Sequence, residues 1–208
     1  NCENNADITL NAATAERFRI ASLVGVSYGS VKNCTNNGDI TINISGDVVD
    51  KCYLGGVVGY VNISDQFKGK GEGYDIALDN CVNSGNITYT VDGIVGYLNM
   101  GGVTAGTSHE PIASAYFKGK AKNCVNTGSV SYTFKNGGSL ADNAGSAGSN
   151  NYHNIGGVFG YWEGSLENCT NGVQGDATKG GVSLVFPTSD ASACASRPAI
   201  GGVCGFVL

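Results

Sequence analysis

The dipeptide Asn-Cys occurs five times, and each occurrence opens a related stretch: NCENNADITL from Asn1, NCTNNGDITI from Asn33, NCVNSGNITY from Asn80, NCVNTGSVSY from Asn123 and NCTNGVQGDA from Asn168. A second motif alternates with the first: ASLVGV from Ala21, GGVVGY from Gly55, GIVGYL from Gly93, GGVFGY from Gly156 and GGVCGF from Gly201. Successive cysteines of the first motif lie 32, 47, 43 and 45 residues apart. One stretch aligns without gaps, GVSYGSVKNCTN from Gly25 with GYWEGSLENCTN from Gly160. Self-similarity at such a period is the mark of a repeat architecture, in which each unit hides its apolar face only against its neighbours.

Three short β-like pieces make up each unit. The first ends at the Asn-Cys, as in Ser30 to Cys34. The second alternates with period two: Ile40, Ile42 and Ile44 are separated by Thr41 and Asn43. The same pattern recurs at Ile87/Tyr89/Val91, Val130/Tyr132/Phe134 and Val182/Leu184/Phe186, so these sets share one strand face. The third is the GGVxGY segment, whose glycines suit a tight bend or a close backbone approach. No stretch carries a 3.6-residue period. The pattern predicts an all-β fold, a right-handed parallel β-solenoid (β-helix) of about five coils with three short strands per coil. A β-propeller has blades of about 40 to 45 residues; three strand signals per unit and uneven spacing argue against it. The 33 glycines against 3 prolines, with frequent Asn, fit a chain of many tight turns.

Stacking in register predicts side-chain ladders. Cys2, Cys34, Cys81, Cys124 and Cys169 occupy one equivalent position, where parallel Cβ vectors disfavour disulfides and leave small apolar thiols. Cys204 falls in the slot of Val58, Val95 and Phe159, while Cys52 and Cys194 stand outside the pattern with their pairing open. Asn4, Asn36, Asn83, Asn126 and Asn171 each follow the Cys by two positions, where stacked amides can bond along the axis. Neither end of the chain reads as a polar cap. This suggests a segment of a longer chain, or ends that meet further repeats or identical chains.

The pairing of GGxVGY with a following NCxNxG resembles the GLUG repeat of bacterial cell-surface and secreted proteins. That motif occurs in adhesin-like proteins, including those of gut anaerobes, and beside the catalytic part of some immunoglobulin-A peptidases. Gly55 to Tyr60, Gly156 to Tyr161 and the five Asn-Cys stations carry the resemblance along the whole chain. Ala21-Ser22 departs from Gly-Gly, and the third copy lacks one Gly before Ile94. The resemblance implies export to the cell surface or extracellular space and a stalk or adhesive role.

Chemistry is sparse. The formal charge of −5 argues against nucleic acid, which needs a basic footprint, and no apolar run reaches the roughly 20 residues that span a bilayer. His109 and His153 lie in irregular segments and read as solvated loop residues. No catalytic, cofactor or zinc-binding motif is present, so the expected role is noncatalytic and free of cofactors. The candidate ligand contacts lie in two predicted protruding insertions, at about 60–79 and 97–122, which carry Phe67-Lys68-Gly69-Lys70 and Phe117-Lys118-Gly119-Lys120. These pairs suit an acidic glycan or glycoprotein of a host. Tyr60, Tyr97, Tyr161 and Phe206 form a candidate aromatic ladder that, with Trp162, offers faces for sugars. The blander reading is two wet hairpins and a capped core edge.

Overall fold

The computed structural model describes residues 1–61, 76–107, 119–136, 138–140, 153–186 and 198–207, and every regular element among them is a β-strand. The first repeat holds β1 (Cys2–Asn4), β2 (Ile8–Ala12), β3 (Phe18–Ile20), β4 (Val24–Ser27) and β5 (Val31–Lys32). The second holds β6 (Cys34–Asn36), β7 (Ile40–Ile44), β8 (Val48–Gly55), β9 (Val58–Val61) and β10 (Ile76–Asp79). The third holds β11 (Val82–Asn83), β12 (Ile87–Val91), β13 (Ile94–Gly101), β14 (Thr104–Gly106) and β15 (Gly119–Lys122). The fourth holds β16 (Val125–Asn126), β17 (Val130–Phe134), β18 (Ser139–Leu140), β19 (His153–Gly156), β20 (Phe159–Trp162) and β21 (Gly164–Glu167). The fifth holds β22 (Thr170–Asn171), β23 (Val182–Val185), β24 (Ala199–Gly201) and β25 (Cys204–Val207).

Each strand pairs in parallel with its counterpart in the next repeat, which gives five sheets. Sheet A runs β1-β6-β11-β16-β22, sheet B β2-β7-β12-β17-β23, and sheet C β3-β8-β13-β19-β24 with β18 also on β13. Sheet D runs β4-β9-β14-β20-β25 and sheet E β5-β10-β15-β21. The chain therefore visits five sheets per repeat rather than the three expected. Two of the expected pieces are each broken by a corner. Asn33, Asn80, Asn123 and Asn168, at φ of 54, 52, 53 and 51°, turn the chain from sheet E into sheet A. Asn is among the few residues that adopt this left-handed conformation cheaply. A Gly-Gly pair breaks the other piece between sheets C and D.

Sheet B follows the alternation closely. Ile40, Ile42 and Ile44 are buried, and they align with Ile87, Tyr89 and Val91, which align in turn with Val130, Tyr132 and Phe134. These side chains pack against Cys52, Leu54, Leu98, Met100 and Ile155 of sheet C. A second cluster joins sheets A, D and E through Cys34, Cys81, Cys124, Leu78, Phe159 and Trp162. Each aliphatic side chain so buried stabilises the fold by about 1.5–3 kcal/mol, and stacked repeats supply the same contact again at every level.

The third repeat differs from its alignment. Gly101 pairs with Gly55 and Thr104 with Val58, so GGVTAG from Gly101 is the counterpart of GGVVGY. Gly93-Ile94-Val95 instead lies in sheet C, with Val95 on Val48. Cys204 consequently stacks on Phe159 in a column with Thr104, Val58 and Val24, and not with Val95. The second expected insertion shrinks for the same reason. Within it, 97–101 lie in β13, 104–106 form β14 after the corner at 102–103, Thr107 is a bridge and 119–122 form β15, while 108–118 lie outside the described residues. Of the first, Tyr60, Val61 and 76–79 are strand, and 62–75 lie outside the described residues.

Candidate functional site

Columns of short polar side chains hold two corners, two columns between sheets A and B and one between sheets E and A. In the inner column, Asn4 Nδ2 donates to Asn36 Oδ1 (2.9 Å), Asn36 to Asn83 (2.8 Å), Asn83 to Asn126 (2.7 Å) and Asn126 to Asn171 (2.8 Å). The second amide hydrogen goes to the turn carbonyl of Ala6, Gly38, Gly85, Gly128 or Gly180 at 2.6–2.7 Å. Asn36, Asn83 and Asn126 are fully buried, and this double use of the NH2 group satisfies both donors. In the fifth repeat the corner widens: Gly172 N bonds Asn126 O and Gly180 N bonds Thr127 O, with residues 173–179 looping between.

The sequence reading missed the other two columns, although each keeps a fixed offset from the cysteine. Five residues after it, Asp7 Oδ1 accepts Asp39 N–H (2.8 Å), Asp39 Oδ1 accepts Asn86 N–H (2.7 Å) and Asn86 Oδ1 accepts Ser129 N–H (3.0 Å). One residue before it, Asn80 Nδ2 donates to Asn33 Oδ1 (2.9 Å) and Asn168 Nδ2 to Asn123 Oδ1 (3.5 Å).

Cys2 stacks on Cys34, and the register of sheet A continues that column through Cys81, Cys124 and Cys169. The seven described cysteines, Cys52 included, are free thiols; Cys194 lies outside the described residues. Burial pushes the Cys52 and Cys204 thiols up to about 12. Cys169 goes the other way, to about 7, with the neighbouring Cys124 thiol as the main cause.

The outer face of sheet B is a field of hydroxyls and amides. Thr41, Thr88, Ser131 and Ser183 form one row, Asn43, Thr90 and Thr133 another. Beyond the ends of β2, β7 and β12 lies an open groove of about 590 Å³, lined in part by Asn11, Asn43, Thr90, Asp92, Lys135 and Asn136. Asn43 Nδ2 bonds Asn11 Oδ1 (2.8 Å) and Asn136 Nδ2 bonds Asp92 Oδ2 (2.6 Å). The groove can exchange hydrogen bonds with a polar ligand, yet it gathers one acid and one amine, with no nucleophile beside a base.

Phe67, Lys68, Lys70, Phe117, Lys118 and His109 lie outside the described residues. Lys120 is on β15, paired with Glu167, whose carboxyl it holds below the usual range. Tyr97 and Trp162 are corrections to the sugar-stacking reading, since both are buried: Trp162 packs on Phe159 at 5.2 Å, and the Tyr97 hydroxyl accepts Asn99 Nδ2. Tyr97 belongs to sheet C beside Lys51, and Gly106 fills its expected place in the aromatic ladder, opposite Tyr161. Tyr60 lies under the Arg19 guanidinium, 5.2 Å from its ring centre. His153 is likewise not a solvated loop residue: it is fully buried in β19, neither ring nitrogen has a hydrogen-bond partner among the described residues, and burial lowers its pKa to about 4.

Among the described residues, no group of three His, Cys, Asp or Glu side chains is arranged to hold a metal ion, and no helix is long and apolar enough to cross a membrane. No family model, curated protein or solved structure matches the chain.

Proposed function

We propose that the chain is a noncatalytic extracellular scaffold, a right-handed parallel β-solenoid of about five coils serving as adhesin, stalk or filament element on a bacterial surface. The observation that carries this reading is the pairing of every repeat with the next across four sheets, and of the first four repeats across a fifth, reinforced by polar columns at the corner between sheets A and B. Such a stack grows in length without needing a new core, which suits a spacer. Placement at the cell surface rests on the likeness of its motifs to the GLUG repeat.

Spin labels placed pairwise at Thr41, Thr88 and Ser131 test the architecture. Stacked coils separate labels on adjacent strands by about 4.8 Å and labels two strands apart by about twice that; any other spacing overturns the solenoid.

The second reading, a glycan- or glycoprotein-binding module, is favoured by the polar groove at Asn43, Thr90 and Lys135. A screen of neutral and acidic glycans separates the two, comparing the parent with Lys68/Lys70/Lys118/Lys120→Ala and with Lys135→Ala. Specific binding lost in either variant supports the module. Absence of binding throughout leaves the scaffold alone.

A further inference from the structure

The groove beside the outer face of sheet B runs along the stack. One side of it is a row of residues in register, Asn11 on Asn43 and Asn43 on Thr90. The register persists past the strand ends, where Ser45 N–H bonds Ala12 O, Asp92 N–H bonds Ile44 O and Lys135 N–H bonds Val91 O. Ser45, Asp92 and Lys135 therefore make a second row, which also lines the groove. The groove crosses four repeats, from Asn11 of the first to Lys135 of the fourth. At about 4.8 Å between neighbouring strands, that span is roughly 14 Å.

The two charged side chains that line it, Asp92 and Lys135, are of opposite sign, so the groove is neutral as a whole. Asn43 and Asn136 are partly engaged with Asn11 and Asp92, while the Thr90 and Ser45 hydroxyls make no hydrogen bond among the described residues. A ligand lying along the groove meets such groups once per strand spacing. An extended peptide advances about 3.3 Å per residue and a polyproline helix about 3.1 Å, so both slip out of step from one coil to the next. A β-1,4-linked hexose chain is straight, carries hydroxyls along both edges and advances by about one strand spacing per sugar, so it keeps step. An α-1,4-linked chain curves away from a straight groove.

We propose that this groove binds a neutral β-1,4-linked glycan laid parallel to the stack axis, one sugar to a coil across the four repeats that line it. The proposal rests on the glycan-binding reading and names a ligand class for it that needs no lysine pair. Asn43 and Thr90 meet the middle sugars from one side, and Ser45 and Asp92 meet them from the other. No aromatic side chain lines the groove among the described residues, so affinity comes from hydrogen bonds repeated coil by coil. Each such bond is modest, and affinity therefore grows with the length of the glycan.

Calorimetric titration with β-1,4-linked oligomers of glucose and of N-acetylglucosamine, two to four units long, tests this against α-1,4-linked glucose oligomers of the same lengths. Each added β-linked unit is expected to tighten binding about threefold, roughly tenfold from two units to four, and the α-linked series to show no such gain. Thr90→Leu fills the middle of the groove and removes a hydroxyl. It is expected to hold the tetramer at the affinity of the dimer, and Asn43→Ala, one coil away, to lose part of the gain. Thr88→Leu, on the same strand but in the row outside the groove, is expected to keep the full gain. All three side chains face outward, so circular dichroism and melting temperature are expected to match the parent. Equal gains for α- and β-linked oligomers, or an unchanged length dependence in both Thr90→Leu and Asn43→Ala, would overturn the proposal. So would failure of both β-linked series where other glycans bind; in each case the glycan-binding reading survives. A chain that binds no glycan at all overturns both.

Discussion

His153 makes the chain acid-sensitive at one identifiable atom pair. The ring sits in the column formed by Phe18, Cys52 and Leu98 of sheet C, fully buried, and both its nitrogens lack partners. Burial is the sole cause of its shift from 6.5 to about 4, with no carboxylate or cation contributing. Between those two values the unfolded chain binds a proton that the folded chain refuses. Stability from this residue is therefore complete above about pH 6.5 and drains away as pH falls towards 4. One pKa unit corresponds to about 1.4 kcal/mol, so the full displacement costs about 3 kcal/mol, most of it already spent at pH 4.5. His153→Leu places in the column the residue that the preceding repeat has there, Leu98. Urea denaturation of both proteins at pH 7.5 and pH 4.5 measures the effect. The parent is expected to lose about 2.5 kcal/mol more than the variant over that interval, and the variant to equal or exceed the parent at pH 7.5, since it buries no unpaired ring nitrogens. Equal acid losses in the two proteins would refute the reasoning.

The polar columns, the glycines and the thiols each give a further test. Asn83→Ala breaks three bonds in the fully buried column and is expected to cost about 3 kcal/mol, whereas Asn43→Ala on the outer face stays within about 0.5 kcal/mol; comparable denaturation midpoints for the two would contradict the column's role. Gly102→Ala drives a Cβ against Gly157 O and is expected to abolish cooperative melting, while Gly29→Ala, with open space around it, leaves the melt unchanged. In a Cys2→Ser/Cys194→Ser background, Cys169 is expected to react with an aromatic disulfide reagent at a rate that rises to half its plateau near pH 7, with Cys52 and Cys204 inert. A rate that climbs only in the ordinary thiol range would remove the Cys124 thiol's influence on Cys169 from the account.

The parallel, all-β character was legible because sheet B obeys a period of two in every repeat and because Asn-Cys fixes one register point per repeat. The corners were less legible. Asn33 and its equivalents read as the start of a motif, and only backbone geometry reveals that each turns the chain through a left-handed residue. The misplacement of the third glycine pair has a chemical origin: Gly93-Ile94-Val95-Gly96-Tyr97 mimics GGVxGY in side chains while GGVTAG does not. Distance along the chain was the better guide, as Gly101 follows Cys81 by 20 residues and Gly55 follows Cys34 by 21. The aromatic positions after the glycine motif read as candidate sugar faces, and the burial of Tyr97 and Trp162 comes from packing that the motif alone does not specify. His153 lies in a segment without a period, yet it is buried in β19, whose Asn154 bonds Asn99 along the stack.

Burial is graded along the stack, and the gradient sets how the molecule comes apart. In sheet B the inward residues of β7, β12 and β17 are covered, while those of β2 and β23 remain half open to water. A unit that touches only its neighbours loses half its support when it stands at an end. Opening should therefore begin at either terminus and travel inward one repeat at a time. Amide hydrogen exchange would be slowest around Tyr89 and fastest at the outermost turns, so the molecule ages from its tips while its middle keeps time.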